Sequence, residues 1–210
     1  MAAAERGVCQ MDTSRDLRIF LNHPYDDDYY PLELALTACL VFCGRAPVSA
    51  KQDSSTWLRF DKILELIRDS GHSIHDLSPR LTDDYLPRLN IAVELGLALG
   101  AQELGARPHS ILVLVDEDHE YKRYASDLAG YDFRVHGNDP HALIREVRLR
   151  LKEMTANDLP SAKQLCAEYD YFMAELLQPL RDEEMSDRPP PSAVVTALAE
   201  RARIRGWIPG

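Results

Sequence analysis

The chain has 210 residues, 45% apolar and 28% charged, enough for one well-packed core plus an appendage. A formal charge of −10 argues against a nucleic-acid-binding face, and no run approaches the roughly 18 apolar residues that a membrane span needs. Cys9, Cys39, Cys43 and Cys166 are too scattered for a disulfide framework or a structural zinc site, which fits a reduced, cytoplasmic compartment.

Residues 1–16 lack an apolar signal core and read as a loose N-terminal arm. Residues 17–21 form a short apolar strand that ends in the turn Asn22, His23, Pro24, Tyr25. A long helix over 29–43 follows, stopped by Gly44, and then a brief strand over 46–49. A helix over 58–70, a strand over 72–75 and a polar, proline-containing loop over 78–88 come next. The polar loops 50–56 and 78–88 have the composition of mobile lids. The segment PRLNIAVELGLALG, 87–100, is apolar around nearly its whole circumference and predicts a buried helix carrying one carboxylate, Glu94. Asn90 reads as its N-cap, which sets Glu94 near the end of the first turn, where free N–H groups and the helix dipole favour the ionised form.

ILVLV at 111–115 is a central parallel strand, 131–135 a weaker fifth strand and 140–154 a clear helix. Strands alternating with helices predict an α/β, flavodoxin-like sheet of five parallel strands over 17–154, ordered 2-1-3-4-5. Residues 155–210 read as a C-terminal helical extension: a helix over 159–181, the spacer DEEMSDRPPP, and a helix over 192–203. That extension covers a sheet face, or serves a dimer or an activating partner. Three segments meet on the ligand-binding edge of such a sheet: 22–28 after strand 1, Asp76 after strand 3, and Glu94 on the next helix. A carboxylate among apolar residues there is the main bottom-up pointer to a site.

The runs IFLNHPYDDDYYPLELAL, RFDKILELIRDSGHSIHDLS, PRLNIAVELGLALG and YKRYASDLAGYDFRVH together resemble bacterial proteins related to nucleoside 2-deoxyribosyltransferases and TIR-like domains. The likeness runs over about 17–153 and leaves the tail uncovered. It implies that Glu94 acts on an N-glycosidic bond, that Asn22, Pro24, Tyr25 and Asp26 line the ribose or base pocket, and that Asp76 joins them. Asn90 stands at the same helix start. TIR-like relatives include NAD-cleaving effectors of antiviral defence, whereas others are adaptors or bind nucleotides without turnover.

A carboxylate beside ribose C1′ stabilises an oxocarbenium-like state or adds covalently to it. Asp26 and Asp76 have the chemistry to hold ribose hydroxyls, and Tyr25 to stack on a base. Asp127 is a proton donor for a purine leaving group, whereas nicotinamide departs from NAD neutral. Plainer roles stand beside these. Tyr25 and Tyr29–Tyr30 also suit corner packing, Asp76 and Asp127 suit turns, and Asp26–Asp28 suit a solvated loop. His72 and His75 suit ordinary structural histidines, and no metal site is expected. No phosphate loop, dinucleotide fingerprint or nucleophile elbow is present in the sequence.

The expected function is therefore an N-glycosidase or transferase on NAD or a nucleoside. It needs no cofactor, NAD entering only as a candidate substrate, and works as a homo-oligomer without nucleic acid or membrane. The alternative is a non-catalytic TIR-like nucleotide-sensing or adaptor module.

Overall fold

A computed structural model describes residues 14–50, 59–78, 89–105, 107–117, 128 and 131–209. Five strands, β1 (Arg18–Asn22), β2 (Ala46–Val48), β3 (His72–Asp76), β4 (Ser110–Val115) and β5 (Phe133–Val135), form one parallel sheet ordered β2-β1-β3-β4-β5. This is the α/β, flavodoxin-like order expected from the alternation of strands and helices. Its topological switch lies between β1 and β3, where crossovers leave in opposite directions and open a crevice at the strands' carboxyl ends.

Side-chain alternation along the strands builds two unequal cores. On one face Ile19, Leu21, Ile74, Leu112 and Leu114 pack under α1 (Tyr30–Phe42) and α4 (Pro140–Met154). On the other, Phe20, Val113 and Val115 meet α2 (Arg59–Arg68) and α3 (Leu89–Leu104). Gly44 ends α1 with φ +69°, a left-handed turn that favours glycine, and the Arg45 N–H returns to the Leu40 carbonyl at 2.9 Å. Asp139 caps α4 by accepting from the backbone N–H groups of His141 and Ala142.

The extension comprises α5 (Ala162–Tyr171), a π-helical turn (Phe172–Leu176), α6 (Leu177–Glu184) and α7 (Pro191–Ile204). It covers the α1 face: Leu165, Phe172, Val194, Leu198 and Ala202 belong to the same apolar cluster as Leu36 and Leu40. Buried Glu168 on α5 accepts from Arg201 Nε at 2.5 Å and pairs with Arg205 Nε at 3.2 Å, which ties α5 to α7. Among the described residues, no helix is long and apolar enough to cross a membrane.

Two expectations about α3 need correction. The helix begins at Leu89, so Asn90 is its second residue and exposed instead of its N-cap, and Glu94 falls in the second turn, away from the free N–H groups. Nor is α3 buried all round. It buries Ile91, Glu94, Leu95 and Ala98, while Leu89, Val93 and Leu104 are 67%, 54% and 90% exposed. An apolar circumference permits burial on every side, but only the side facing the sheet and α2 is covered here.

Candidate functional site at the carboxyl edge of the sheet

Asn22 ends β1 directly opposite His75 and is 2% exposed. Its amide nitrogen donates to His75 Nδ1 and to the Ile91 carbonyl, both at 2.9 Å. The end of β1 is thereby fastened to the first turn of α3. Glu94 follows within one helical turn, 6% exposed, on the same inward side of α3 as Ile91 and Leu95. The carboxylate expected to do chemistry is thus a buried one at the switch-point edge.

Behind Asn22 a chain of polar groups crosses the α2/α3 face of the sheet. His109 Nδ1 lies 3.1 Å from the Ser70 carbonyl, which only accepts, so the proton sits on Nδ1. His109 Nε2 then accepts from the Ser73 hydroxyl at 3.0 Å, and Ser73 Oγ accepts from His75 Nε2 at 2.9 Å. His75 Nδ1 is left as the acceptor for Asn22. Burial drives the His75 imidazole down to about 3 and lowers His109 too, so both remain neutral in this chain. His72, at the start of β3, is half-buried, and burial with the nearby Arg45 lowers its imidazole to about 4.

Asp76 turns the other way, because adjacent residues of a strand face opposite sides. It is fully buried and accepts from Tyr29 Oη (2.5 Å), Ser78 Oγ (2.5 Å) and the Ser78 N–H (2.9 Å). His136 Nδ1 accepts from the Asn138 N–H, which leaves its Nε2 proton facing Asp76 Oδ2 at 3.1 Å. Burial pushes the Asp76 carboxyl up, but His136, Ser78 and Tyr29 outweigh it and hold it down at about 2. Ser78 and His136 approach within 3.1 Å, yet Ser78 Oγ donates to the carboxylate and all three groups are buried. The cluster staples α1, β3 and the end of β5 together.

The β1–α1 loop runs along the rim between these clusters. His23 donates from Nδ1 to the Pro24 carbonyl at 2.8 Å and stacks on Tyr29 at 5.2 Å, with Tyr25 edge-on at 4.9 Å. Pro24 is buried, Tyr25 and Asp26 are half-buried, and Asp27 and Asp28 are exposed. Tyr25 borders an open cavity of about 370 Å³ that Pro189–Pro191 of the extension also line. Asp127 and the loops 51–58 and 79–88 lie outside the described residues.

Of the expected site residues, then, Asn22 and Glu94 are brought to one face, Asp76 to the other, and Pro24, Tyr25 and Asp26 to the rim between them. Tyr29, Ser73, Ser78, His109 and His136 complete the two clusters and are not among the site residues expected from the sequence. Apart from the Ser78–Asp76 and Ser73–His75 bonds, their partners in the clusters lie tens of residues away in sequence, so no local pattern marks them. No protein-family model and no curated protein matches the chain. The class is therefore defined by the fold: an α/β protein with a flavodoxin-like sheet and a helical C-terminal cover.

Proposed function

We propose that the chain cleaves an N-glycosidic bond in NAD or a nucleoside, with Glu94 as the central carboxylate, and that it works in the cytoplasm. The observation that carries this reading is the burial of Glu94 on the inward side of α3, at the edge where an open α/β sheet takes its ligands. A carboxylate there meets C1′ with little water to screen it, where positive charge develops as the base departs. Hydrolysis follows by attack of water on the oxocarbenium-like carbon, or on an ester formed with Glu94; transfer differs only in the acceptor. In this reading Tyr25 offers a ring face and Asp26 a carboxylate to the ligand. Asp76 acts through position, since both its carboxylate oxygens already serve the protein, as does the amide nitrogen of Asn22. The resemblance to deoxyribosyltransferase-like and TIR-like proteins supports the same bond as target.

A second reading, a nucleotide-sensing or adaptor module acting through assembly, draws support from the exposed apolar side chains of α3. Chromatography of NAD and a nucleoside panel, incubated with wild type and Glu94→Gln in fractions of known oligomeric state, separates the two. The enzyme reading expects release of nicotinamide or free base by the wild type. The variant should lose roughly 10²–10³-fold of that rate, with its melting temperature unchanged. Intact substrates in every assembled fraction sink it in favour of the module.

A further inference from the structure

We propose that the C-terminal extension is a wall of a nucleoside-binding cavity, and that Arg188 is the positioning residue that holds the β1–α1 loop against it. The choice of ligand rests on the function proposed above; the latch rests on contacts alone. Arg188 Nη1 donates to the Tyr25 carbonyl at 3.3 Å, and Nη2 donates to the Asp26 carbonyl at 2.7 Å. Nη2 also lies 2.8 Å from Asp27 Oδ1, and the guanidinium sits 4.7 Å from the centre of the Tyr30 ring. Asp27 is 97% exposed, so its ion pair is screened and weak. The two carbonyl bonds do most of the holding, because a charged donor strengthens each of them.

The arm that delivers Arg188 is stiff at both ends. Ahead of it, Met185 takes a left-handed turn, Arg181 Nε donates to the Asp187 carbonyl at 2.9 Å, and the Arg188 N–H donates to Ser186 Oγ. Behind it, three prolines in succession lead into α7, with Pro190 at φ −53°, ψ 140°, close to the polyproline conformation. Buried Val194 and Leu198, with the Glu168–Arg201 pair, fix α7 to the body of the protein. The β1–α1 loop, already tied to the start of α1 by the Tyr29 and Tyr30 N–H groups, thus gains a clamp from the extension.

Between clamp and loop lies the cavity of about 370 Å³, within the size range of small-molecule sites. Tyr25 and Tyr30 provide aromatic surface for a base, and Glu33 and Glu184 border it with acceptors suited to ribose hydroxyls. Tyr30 Oη is buried with no hydrogen-bond partner among the described residues. A buried hydroxyl in that state is costly, and a turn of the Tyr30 ring towards the cavity lets a polar atom of a bound ligand remove the cost.

The test combines hydrogen exchange with adenosine titration, on wild type, Arg188→Ala and Tyr30→Phe, each checked by thermal melting. Arg188→Ala should speed exchange of the Tyr29 and Tyr30 amides, which donate to the Asp26 and Asp27 carbonyls, by about tenfold or more while α4 and the sheet stay protected. Tyr30→Phe should leave exchange as in the wild type, and both variants should weaken adenosine binding several-fold. Unchanged exchange in Arg188→Ala overturns the latch. Failure of the wild type to bind adenosine, or equal affinity in all three proteins, overturns the cavity assignment. Absence of base release by the wild type with adenosine binding retained counts against the glycosidase reading alone.

Discussion

Helices α1 and α3 are similarly rich in apolar residues, yet one is enclosed and the other is half open. α1 buries nine of its side chains, from Leu32 through Phe42, because α4, α5 and α7 surround what the sheet does not cover. α3 buries four residues, one of them a carboxylate, and leaves Leu89, Val93 and Leu104 exposed. What differs is the third layer. The extension adds one over α1; among the described residues none lies over α3. An all-round apolar helix shows that burial is tolerated, but the surrounding elements decide how much of it occurs.

The contrast breaks most visibly by truncation. Leu40→Ala removes a side chain enclosed on all sides and should cost about 2–5 kcal/mol, through lost transfer energy and a cavity that close neighbours cannot fill. Val93→Ala, on a residue 54% exposed, should fall within about 0.5 kcal/mol of wild type. Urea unfolding of the two variants measures the gap directly. Equal losses mean that α3 is covered in solution as thoroughly as α1.

The two faces also differ in how acid should undo them. On the α2/α3 face, His75 takes a proton below about 3 when folded, against 6.5 for an ordinary imidazole. The unfolded chain therefore binds the proton first. Stability is full above pH 6.5 and falls as the pH drops towards 3, by up to about 1.4 kcal/mol per pH unit. On the α1 face, Asp76 works in a lower window: its contribution is complete above 3.8 and disappears as the pH falls to about 2. Melts of wild type and His75→Leu at several pH values separate these windows. The variant should be less stable at pH 7 but flatter between pH 6.5 and 4.5, while the loss below pH 4 persists. An unchanged slope above pH 4.5 places the acid sensitivity elsewhere, with buried His109 the next residue to replace.

Much of the fold was legible because it rests on short-range signals. The ILVLV strand, Gly44, Pro140 and the change from strand to helix periodicity fix element type, and crossover handedness leaves few strand orders to consider. Within the site, the buried carboxylate on α3 could be read from the neighbours of Glu94 alone. The helix start could not. Asn90 is a good capping residue, but Leu89 is already helical, and caps compete with whatever the preceding chain allows. The turn bond between Ser78 and Asp76 was legible, but the other partners of Asp76, Tyr29 and His136, and the partners His75 and Ile91 of Asn22, meet them only through the tertiary fold. Arg188 is the extreme case. It sits in a stretch whose composition reads as a spacer, and its partners Tyr25 and Asp26 are more than 160 residues away.

The finest test of the comparison lies on the open side of α3, at Gly96. A glycine within a helix costs about 0.5–1 kcal/mol relative to alanine. A Cβ added at Gly96 meets nothing within 4 Å, so packing within the described chain does not explain the glycine. If α3 faces solvent there, Gly96→Ala should raise stability by about that amount, equally at low and high protein concentration. The exposed stripe Leu89, Val93 and Leu104 flanks the same position and bears on the homo-oligomer expected from the sequence. A second copy pressed against α3 reverses the sign, because the new methyl group must then fit a close contact between backbones. Destabilisation that grows with protein concentration therefore identifies assembly through α3, and a uniform gain in melting temperature excludes it.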